Sequence, residues 1–480
     1  MRRTKIVATL GPATNTPEAL EALVRAGVDV VRLNFSHGRL QEHQQRAQMV
    51  RDAAQKVGRT VGILGDLQGP KLRIAQFRDG KINLAPGDSF ILDAALAADA
   101  GDQARVGLGY KELVKDVSIG DELWLDDGRI VLVVDAILGQ EIHTRVLNGG
   151  VLSNNKGLNR RGGGLSAAAL TVKDIEDIQI AAAIKVDFLA VSFPRQAADL
   201  HEARRLLQEA GGSAALVAKI ERAEAVCQPE MDEILLAADV IMVARGDLGV
   251  EIGDAKLPLT QKNLIKRARE LNRAVITATQ MMETMIDHPI PTRAEVFDVA
   301  NAVIDGTDAV MLSGETAVGK HPALVVQTVA AICLEAEQAI EVRTSRHRMA
   351  EKFERIDEAI AMATMYAANH LGVRAIAALT ESGSTPLWMS RISSGIPIYA
   401  LTSREETARR VSLYRGVYPV WVRQAISDPK VANREAVERL LQEKIVADGD
   451  WVIITKGDLM GLQGGTNMLK ILRVGEHHNG

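Results

Sequence analysis

Short apolar runs in this sequence end, one after another, in residues able to handle phosphate, carboxylate and a hard cation. One run continues as Arg32-Leu33-Asn34-Phe35-Ser36-His37-Gly38, in which Arg32, Asn34 and Ser36 alternate and share one face of an extended chain. Arginine offers a planar donor fork for phosphate or carboxylate, while Asn and Ser offer neutral oxygens for a cation. Taken alone, capping and solvation account for this stretch. A second run ends Gly65-Asp66-Leu67-Gln68-Gly69-Pro70-Lys71-Leu72-Arg73, an acid and another arginine in a Gly/Pro-rich hinge. A third ends Ala218-Lys219-Ile220-Glu221-Arg222, setting an ammonium and a carboxylate side by side, and a fourth ends Ala244-Arg245-Gly246-Asp247-Leu248-Gly249. A lone Lys–Glu pair is more often structural. With Asp247 on the neighbouring run, Glu221 and Asp247 instead form the usual protein share of a Mg²⁺ site, whose other positions stay with water and substrate oxygens. Thr277-Ala278-Thr279-Gln280 and Leu312-Ser313-Gly314-Glu315-Thr316 add small hydroxyls that can bind a carboxylate or organise water. Neither a Ser–His–Asp order nor a Cys/His cluster is evident. Several cations, one divalent-metal site and no nucleophile suit phosphoryl transfer, which needs charge neutralisation and alignment more than covalent help.

These residues need a scaffold that brings strand ends together. The apolar runs are Ile6–Leu10, Val28–Leu33, Val61–Leu64, Phe188–Val191, Leu216–Ala218, Val240–Val243, Val275–Thr277 and Ala309–Leu312. They read as parallel strands buried on both faces, and segments with helical spacing lie between them, among them Pro17–Ala26, His43–Val57, Ala198–Ala210 and Lys262–Leu271. Eight such units predict a TIM-type (β/α)₈ barrel, whose strand carboxyl ends meet at one mouth. Seven would have pointed to an open doubly wound sheet.

The interval from Leu64 to Phe188 is far longer than its neighbours and changes texture. Lys81–Leu84, Ser89–Leu92, Glu122–Leu125, Ile130–Val134 and Glu141–Val146 alternate, and Asp126-Asp127-Gly128 is a hairpin signal. Residues 71–168 are therefore expected to form an inserted β-barrel lid, splitting the catalytic barrel into 1–70 and 169–344. Beyond the charged stretch Glu341–Arg348, a linker or an exposed helix end, residues 345–480 resume α/β alternation. Helix Asp357–Leu371 and strands Arg374–Leu379, Pro397–Leu401, Val417–Val422 and Trp451–Ile454 predict an open C-terminal sheet. There Thr380-Glu381-Ser382-Gly383-Ser384-Thr385 could hold a phosphate at a helix start or simply cap that helix. Gly314–His321 nearly matches a P-loop but has His321 where the metal-binding hydroxyl belongs, and Gly162–Gly164 read as a flexible turn.

With 480 residues, 47% hydrophobic and 25% charged, the chain has the composition of an ordinary multidomain globular protein. A net charge of −4 without a basic block excludes a nucleic-acid arm, and no run reaches the roughly 18–20 apolar residues of a membrane span. Two cysteines, Cys227 and Cys333, make no disulfide framework and fit a reducing compartment, so a cytoplasmic location is expected.

The strand ends closely resemble the pyruvate kinase family: TKIVATLGP at Thr4–Pro12, RLNFSHG at Arg32–Gly38, DLQGPKLR at Asp66–Arg73, KIER at Lys219–Arg222 and ARGDLG at Ala244–Gly249. TATQM at Thr277–Met281, PTRAE at Pro291–Glu295, DVAN at Asp298–Asn301, MLSGET at Met311–Thr316 and YRGVYP at Tyr414–Pro419 extend the resemblance over the chain. It implies transfer of the phosphoryl group of phosphoenolpyruvate to ADP with Mg²⁺ or Mn²⁺. It also implies roles: Lys219 on the migrating phosphoryl group, Glu221 and Asp247 on the metal, Arg32 and Arg73 on phosphate, His37 and Lys156 on the nucleotide side. Gly246 and Thr279 would hold the substrate carboxylate, Thr279 with ordered water would protonate the enolate, and Asn34, Ser36 and Asp66 would form a monovalent-cation site. Many members that need K⁺ have Glu where this chain has Lys71, so the resemblance implies K⁺ independence, the ammonium replacing the ion. It further implies a homotetramer and, at Thr380, Ser382, Gly383, Ser384 and Thr385, a sugar-phosphate or nucleotide effector site. Two rivals are a magnesium-dependent aldolase or lyase working through pyruvate enolate, and a metabolite-binding regulator without catalysis. The first has no need of the lid or Lys156; the second has no need to keep Lys219, Glu221, Asp247 and Thr279 together.

Overall fold

A computed structural model describes residues 1–70, 72–339, 352–422, 431–458 and 464–476. Lys71 and the expected linker Glu341–Arg348 lie outside them.

The eight apolar runs are eight parallel strands that close into a barrel: Lys5–Thr9, Val30–Asn34, Gly62–Asp66, Phe188–Val191, Ala215–Ile220, Val240–Ala244, Ala274–Ala278 and Ala309–Leu312. They pair in sequence order, and the first closes on the last with Lys5 opposite Ala309. Strand residues are buried on both faces because helices cover the outside while side chains fill the inside. Local signals set the helix ends. Thr16 caps Pro17–Ala26 by accepting the Ala19 N–H at 3.2 Å, and Gly27, at φ 116°, ends that helix in a left-handed turn. Thr292 and Glu295 form a reciprocal capping box at the start of Arg293–Asp305.

Between the third and fourth barrel strands, a mixed six-stranded sheet and a two-stranded antiparallel ribbon share one apolar core that includes Phe77, Phe90, Leu123 and Leu132. The hairpin signal is accurate: Asp126, Asp127 and Gly128 all take positive φ between strands Glu122–Leu125 and Ile130–Leu138. The short strands Arg105–Gly107, Gly150–Ser153 and Leu158–Arg160 complete this lid.

The C-terminal unit is a five-stranded sheet ordered Val417–Trp421, Ile398–Thr402, Ala375–Leu379, Trp451–Lys456, Met468–Arg473, the last strand antiparallel. It seals the amino-terminal end of the barrel. Val7, Val30, Leu64, Phe188 and Met242 inside the barrel belong to the same apolar cluster as Met365, Ile376 and Ile453 of the C-terminal unit. Polar ties flank that floor. Arg391 pairs with Asp308, both almost fully buried, and Arg409 pairs with Asp187 at 2.8 Å. With one end covered, the cavity at the strand carboxyl ends lies beneath the lid.

Candidate active site

At that mouth lies a cavity of about 390 Å³. Arg32, Asn34 and Ser36 all line it: the first two alternate on the second strand, and Ser36 lies in the turn that follows Asn34, its N–H donating to Asn34 Oδ1 at 3.0 Å. Arg32 donates from Nε to Asp66 Oδ2 at 2.6 Å and from Nη1 to Thr9 Oγ1 at 3.2 Å. Asp66 ends the third strand, beside Asn34 in the barrel register. Lys219, on the fifth, donates to Ser192 Oγ at 2.8 Å and lies 2.9 Å from Glu221 Oε1 and 3.5 Å from Asp66 Oδ1. Ser192 is itself held by donating to the Leu67 carbonyl at 2.7 Å. The other Glu221 oxygen accepts the Phe193 N–H at 2.8 Å. One ammonium thus stands between carboxylates contributed by two strands.

Burial and charge act differently on the members of this cluster. Burial would raise the Asp66 carboxyl, but Lys219 and Arg32 outweigh it and hold its pKa below the usual carboxylate range. Burial also opposes the charge on Lys219, yet Asp66 and Glu221 keep its pKa above the ordinary value. Glu221 goes the other way. Burial pushes it up to about 7, Lys219 opposes, and the neighbouring negative charge of Asp247 adds to the rise. A buried acid facing a second acid is stabilised as a carboxylate by a cation placed between them.

Hard carboxylate oxygens suit Mg²⁺ or Mn²⁺. Among the described residues no group of three or more His, Cys, Asp or Glu could hold a metal, so Glu221 and Asp247 offer only part of a coordination sphere. That partial set fits an ion that keeps positions for water and substrate. Asp66 Oδ1, buried with the Lys219 ammonium 3.5 Å away, leaves further acceptor capacity beside it.

Across the mouth, the seventh strand ends in a strained turn. Thr279 and Gln280 take φ of 67° and 53°, a region costly for a β-branched residue. Arg245 clamps this turn, donating to the Ala278 carbonyl at 3.1 Å and the Thr279 carbonyl at 2.5 Å while pairing with Asp298 at 2.6 Å. The turn aims Thr279 Oγ1 at the helix Arg245–Ile252, where it accepts the Gly246 N–H at 2.9 Å.

From the lid, Arg73 and Lys156 line the same cavity. Arg73 donates to the Asn155 carbonyl at 2.5 Å, and Lys156 pairs with Asp126 of the hairpin turn at 2.7 Å. His37 is exposed and is not among the cavity-lining residues. Thr9, Ser192, Arg245 and Asp126 had no assigned role from sequence. Thr9 and Ser192 stand at the ends of the first and fourth strands, so the same inspection of strand ends would have found both.

The hydroxyl-rich segment of the C-terminal unit is remote from this mouth. Ser382 and Ser384, 2.8 Å apart at their hydroxyls, line a separate cavity of about 600 Å³ at the seam with the barrel. Thr380 Oγ1 accepts the Gly383 N–H at 2.9 Å, and Thr385 bonds Thr466 at 2.8 Å. Glu381 is engaged by Arg404 at 2.7 Å.

Comparison with known proteins adds an independent line. A family model described as the pyruvate kinase barrel domain matches residues 1–326, and one described as the pyruvate kinase alpha/beta domain matches 358–472. The chain is 58% identical over 476 residues to pyruvate kinase II of Salmonella typhimurium, covering 99% of each chain. It is 56% identical to a pyruvate kinase of Haemophilus influenzae, again with 99% of each covered. A pyruvate kinase of Geobacillus stearothermophilus is 43% identical across 98% of this chain and 80% of its own.

Proposed function

Because this chain belongs to the pyruvate kinase family, we propose that its barrel mouth transfers the phosphoryl group of phosphoenolpyruvate to ADP, giving pyruvate and ATP. The observation that carries the reading is the meeting of Lys219 with Glu221, Asp66 and Arg32 in one cavity capped by Arg73 and Lys156.

In this reading Glu221 and Asp247 hold Mg²⁺ or Mn²⁺, which when bound supplies Lewis-acid neutralisation of substrate oxygens. Lys219 neutralises the phosphoryl group as it moves, at a site where low polarity strengthens each charge interaction. Asp66 keeps both Lys219 and Arg32 in place, so the cations are positioned before substrate arrives. Arg32 and Arg73 grip phosphate from barrel and lid. The Gly246 N–H and the Thr279 hydroxyl, bonded to each other here, exchange that bond for the substrate carboxylate. Thr279 with ordered water then protonates the enolate. Lys156 takes the nucleotide, exchanging Asp126 for a phosphate; His37 joins it from the barrel rim.

A coupled assay with phosphoenolpyruvate and ADP tests the activity. ADP-dependent pyruvate release supports it, and failure to release pyruvate with ADP, alongside its release from a 4-hydroxy-2-oxo acid, supports the lyase rival. We further read the enzyme as K⁺-independent, on Lys71 with Asn34, Ser36 and Asp66. Full activity in K⁺-free buffer is expected, and a rise of about tenfold or more on adding KCl would refute it. A phosphorylated effector at Thr380, Ser382, Gly383, Ser384 and Thr385 is supported by the adjoining cavity and by Arg404, which offsets the charge of Glu381. If no sugar phosphate or nucleotide alters the substrate curve, that part fails. A homotetramer is supported by exposed apolar residues on neighbouring surface segments, Leu259, Ile290 and Phe297, each at least 65% exposed. Sedimentation as a monomer would exclude it. A cytoplasmic location rests on the two cysteines.

A further inference from the structure

The lid returns to the barrel through residues 162–167, and this limb is tied down by side chains that the phosphotransfer reading does not use. Gly162, Gly163 and Gly164 all take positive φ. A Cβ on Gly162 would meet nothing within 4 Å, whereas one on Gly163 would come 2.5 Å from the Glu224 carboxylate and one on Gly164 2.3 Å from the Arg160 guanidinium, so a side chain at either would have to displace those groups. Such a turn is adaptable by itself, yet two of its three amides are held by the barrel, while the Gly163 N–H turns back to the Arg160 carbonyl at 3.1 Å. The Gly162 N–H donates to the Glu251 carbonyl at 2.9 Å and the Gly164 N–H to Glu224 Oε1 at 2.5 Å. The Leu165 carbonyl accepts two guanidinium groups, Arg195 and Arg222, each at 2.9 Å. Arg222 also reaches the Ala167 carbonyl at 3.4 Å and lies 5.8 Å from the centre of the Phe193 ring. It is 3% exposed, an expensive place for a cation unless its position matters.

The chain position of Arg222 gives this tie a consequence. It follows Glu221 directly, and the next amide, Ala223 N–H, donates to Glu251 Oε2 at 2.6 Å. Glu251 lies in the same helix as Asp247. The root of the lid, the Glu221 loop and the Asp247 helix therefore form one bonded unit.

We propose that Arg222, assisted by Arg195, is a positioning residue that moors the return limb of the lid to the Glu221 loop and so sets where Arg73 and Lys156 stand above the barrel mouth. The inference rests on the reading that the lid side of the cavity takes the nucleotide. It assigns Arg222, which also borders the mouth cavity, a role in nucleotide affinity exerted through the limb.

The test compares Arg222→Met, Arg222→Lys and Arg195→Met in the full-length chain by hydrogen exchange and steady-state kinetics. In Arg222→Met, amides of residues 158–168 should exchange about tenfold faster while barrel strands are unchanged. The KM for ADP should rise about fivefold, with the KM for phosphoenolpyruvate within about twofold. Arg222→Lys, able to reach only one carbonyl, should fall between. Arg195→Met leaves Arg222 in place and should shift both readouts in the same direction by less, which keeps the test decisive if Arg222→Met does not fold. Unchanged exchange in the limb would overturn the mooring. Faster exchange with both KM values equally altered, or neither altered, would overturn its link to the nucleotide. Exchange is read without turnover, so a wild-type chain that transfers no phosphoryl group sinks the nucleotide reading separately.

Discussion

If Glu221 is a metal ligand, divalent-cation binding should weaken steeply below neutrality. The carboxyl is fully buried, faces Asp247, and titrates at about 7 in the metal-free chain. A ligand must lose its proton before it binds, so affinity follows the ionised fraction. About three-quarters of Glu221 is ionised at pH 7.5 and about 3% at pH 5.5, which predicts roughly 25-fold weaker binding at the lower pH. An exposed glutamate, titrating near 4.3, would give almost no change over that interval. Free Mn²⁺ measured by electron paramagnetic resonance, without substrate, reads the affinity directly. Glu221→Gln should bind weakly at both pH values and lose the dependence. Glu251 provides the control: burial also raises it to about 7, but its Oε2 accepts the Ala223 N–H and it is not a proposed ligand. Glu251→Gln should keep the steep profile. A change below about threefold in the unsubstituted chain, or an unaltered profile in Glu221→Gln, would refute the reasoning.

Two further predictions concern the sealed end of the barrel and the cysteines. Asp308→Asn should destabilise the seam by about 3–5 kcal/mol, because it strands Arg391 at 1% exposure; adding Arg391→Met should recover much of the loss in urea unfolding. If the single substitution costs under about 1 kcal/mol, the seam does not depend on that pair. A thiol reagent at pH 8 should modify only Cys227 in the native chain and both cysteines in urea, since burial raises the Cys333 thiol to about 12 while Cys227 is exposed. Rapid native labelling of both would contradict the packing of helix Pro322–Ala336.

Much of this architecture was legible because the barrel writes itself twice, once as β-branched runs and again as polar residues where the runs stop. Period-two spacing was enough to put Arg32 and Asn34 on one face, the strand ending before Ser36, and strand adjacency was enough to bring Glu221 near Asp247. What stayed hidden depended on residues far apart in sequence. Ser192 looks like an ordinary turn residue until its hydroxyl is seen under Lys219. Arg245 looks like a strand-end cation, yet it is consumed in holding the Thr279 turn. The edge strand Met468–Arg473 is not legible in sequence because MLKILR lacks a clean alternation, and its antiparallel neighbour Trp451–Lys456 fixes it. Gly162–Gly164 gave a turn signal, but nothing in their spacing announces the buried guanidinium beside them.

The central claim is that phosphoryl transfer depends on the Lys219 ammonium held between Asp66 and Glu221. Turnover and phosphoenolpyruvate binding measured side by side in Lys219→Ala test it most directly. Turnover should fall by about 10³-fold or more while the Kd for phosphoenolpyruvate changes by no more than about threefold. Turnover within about tenfold of the unsubstituted enzyme would contradict it.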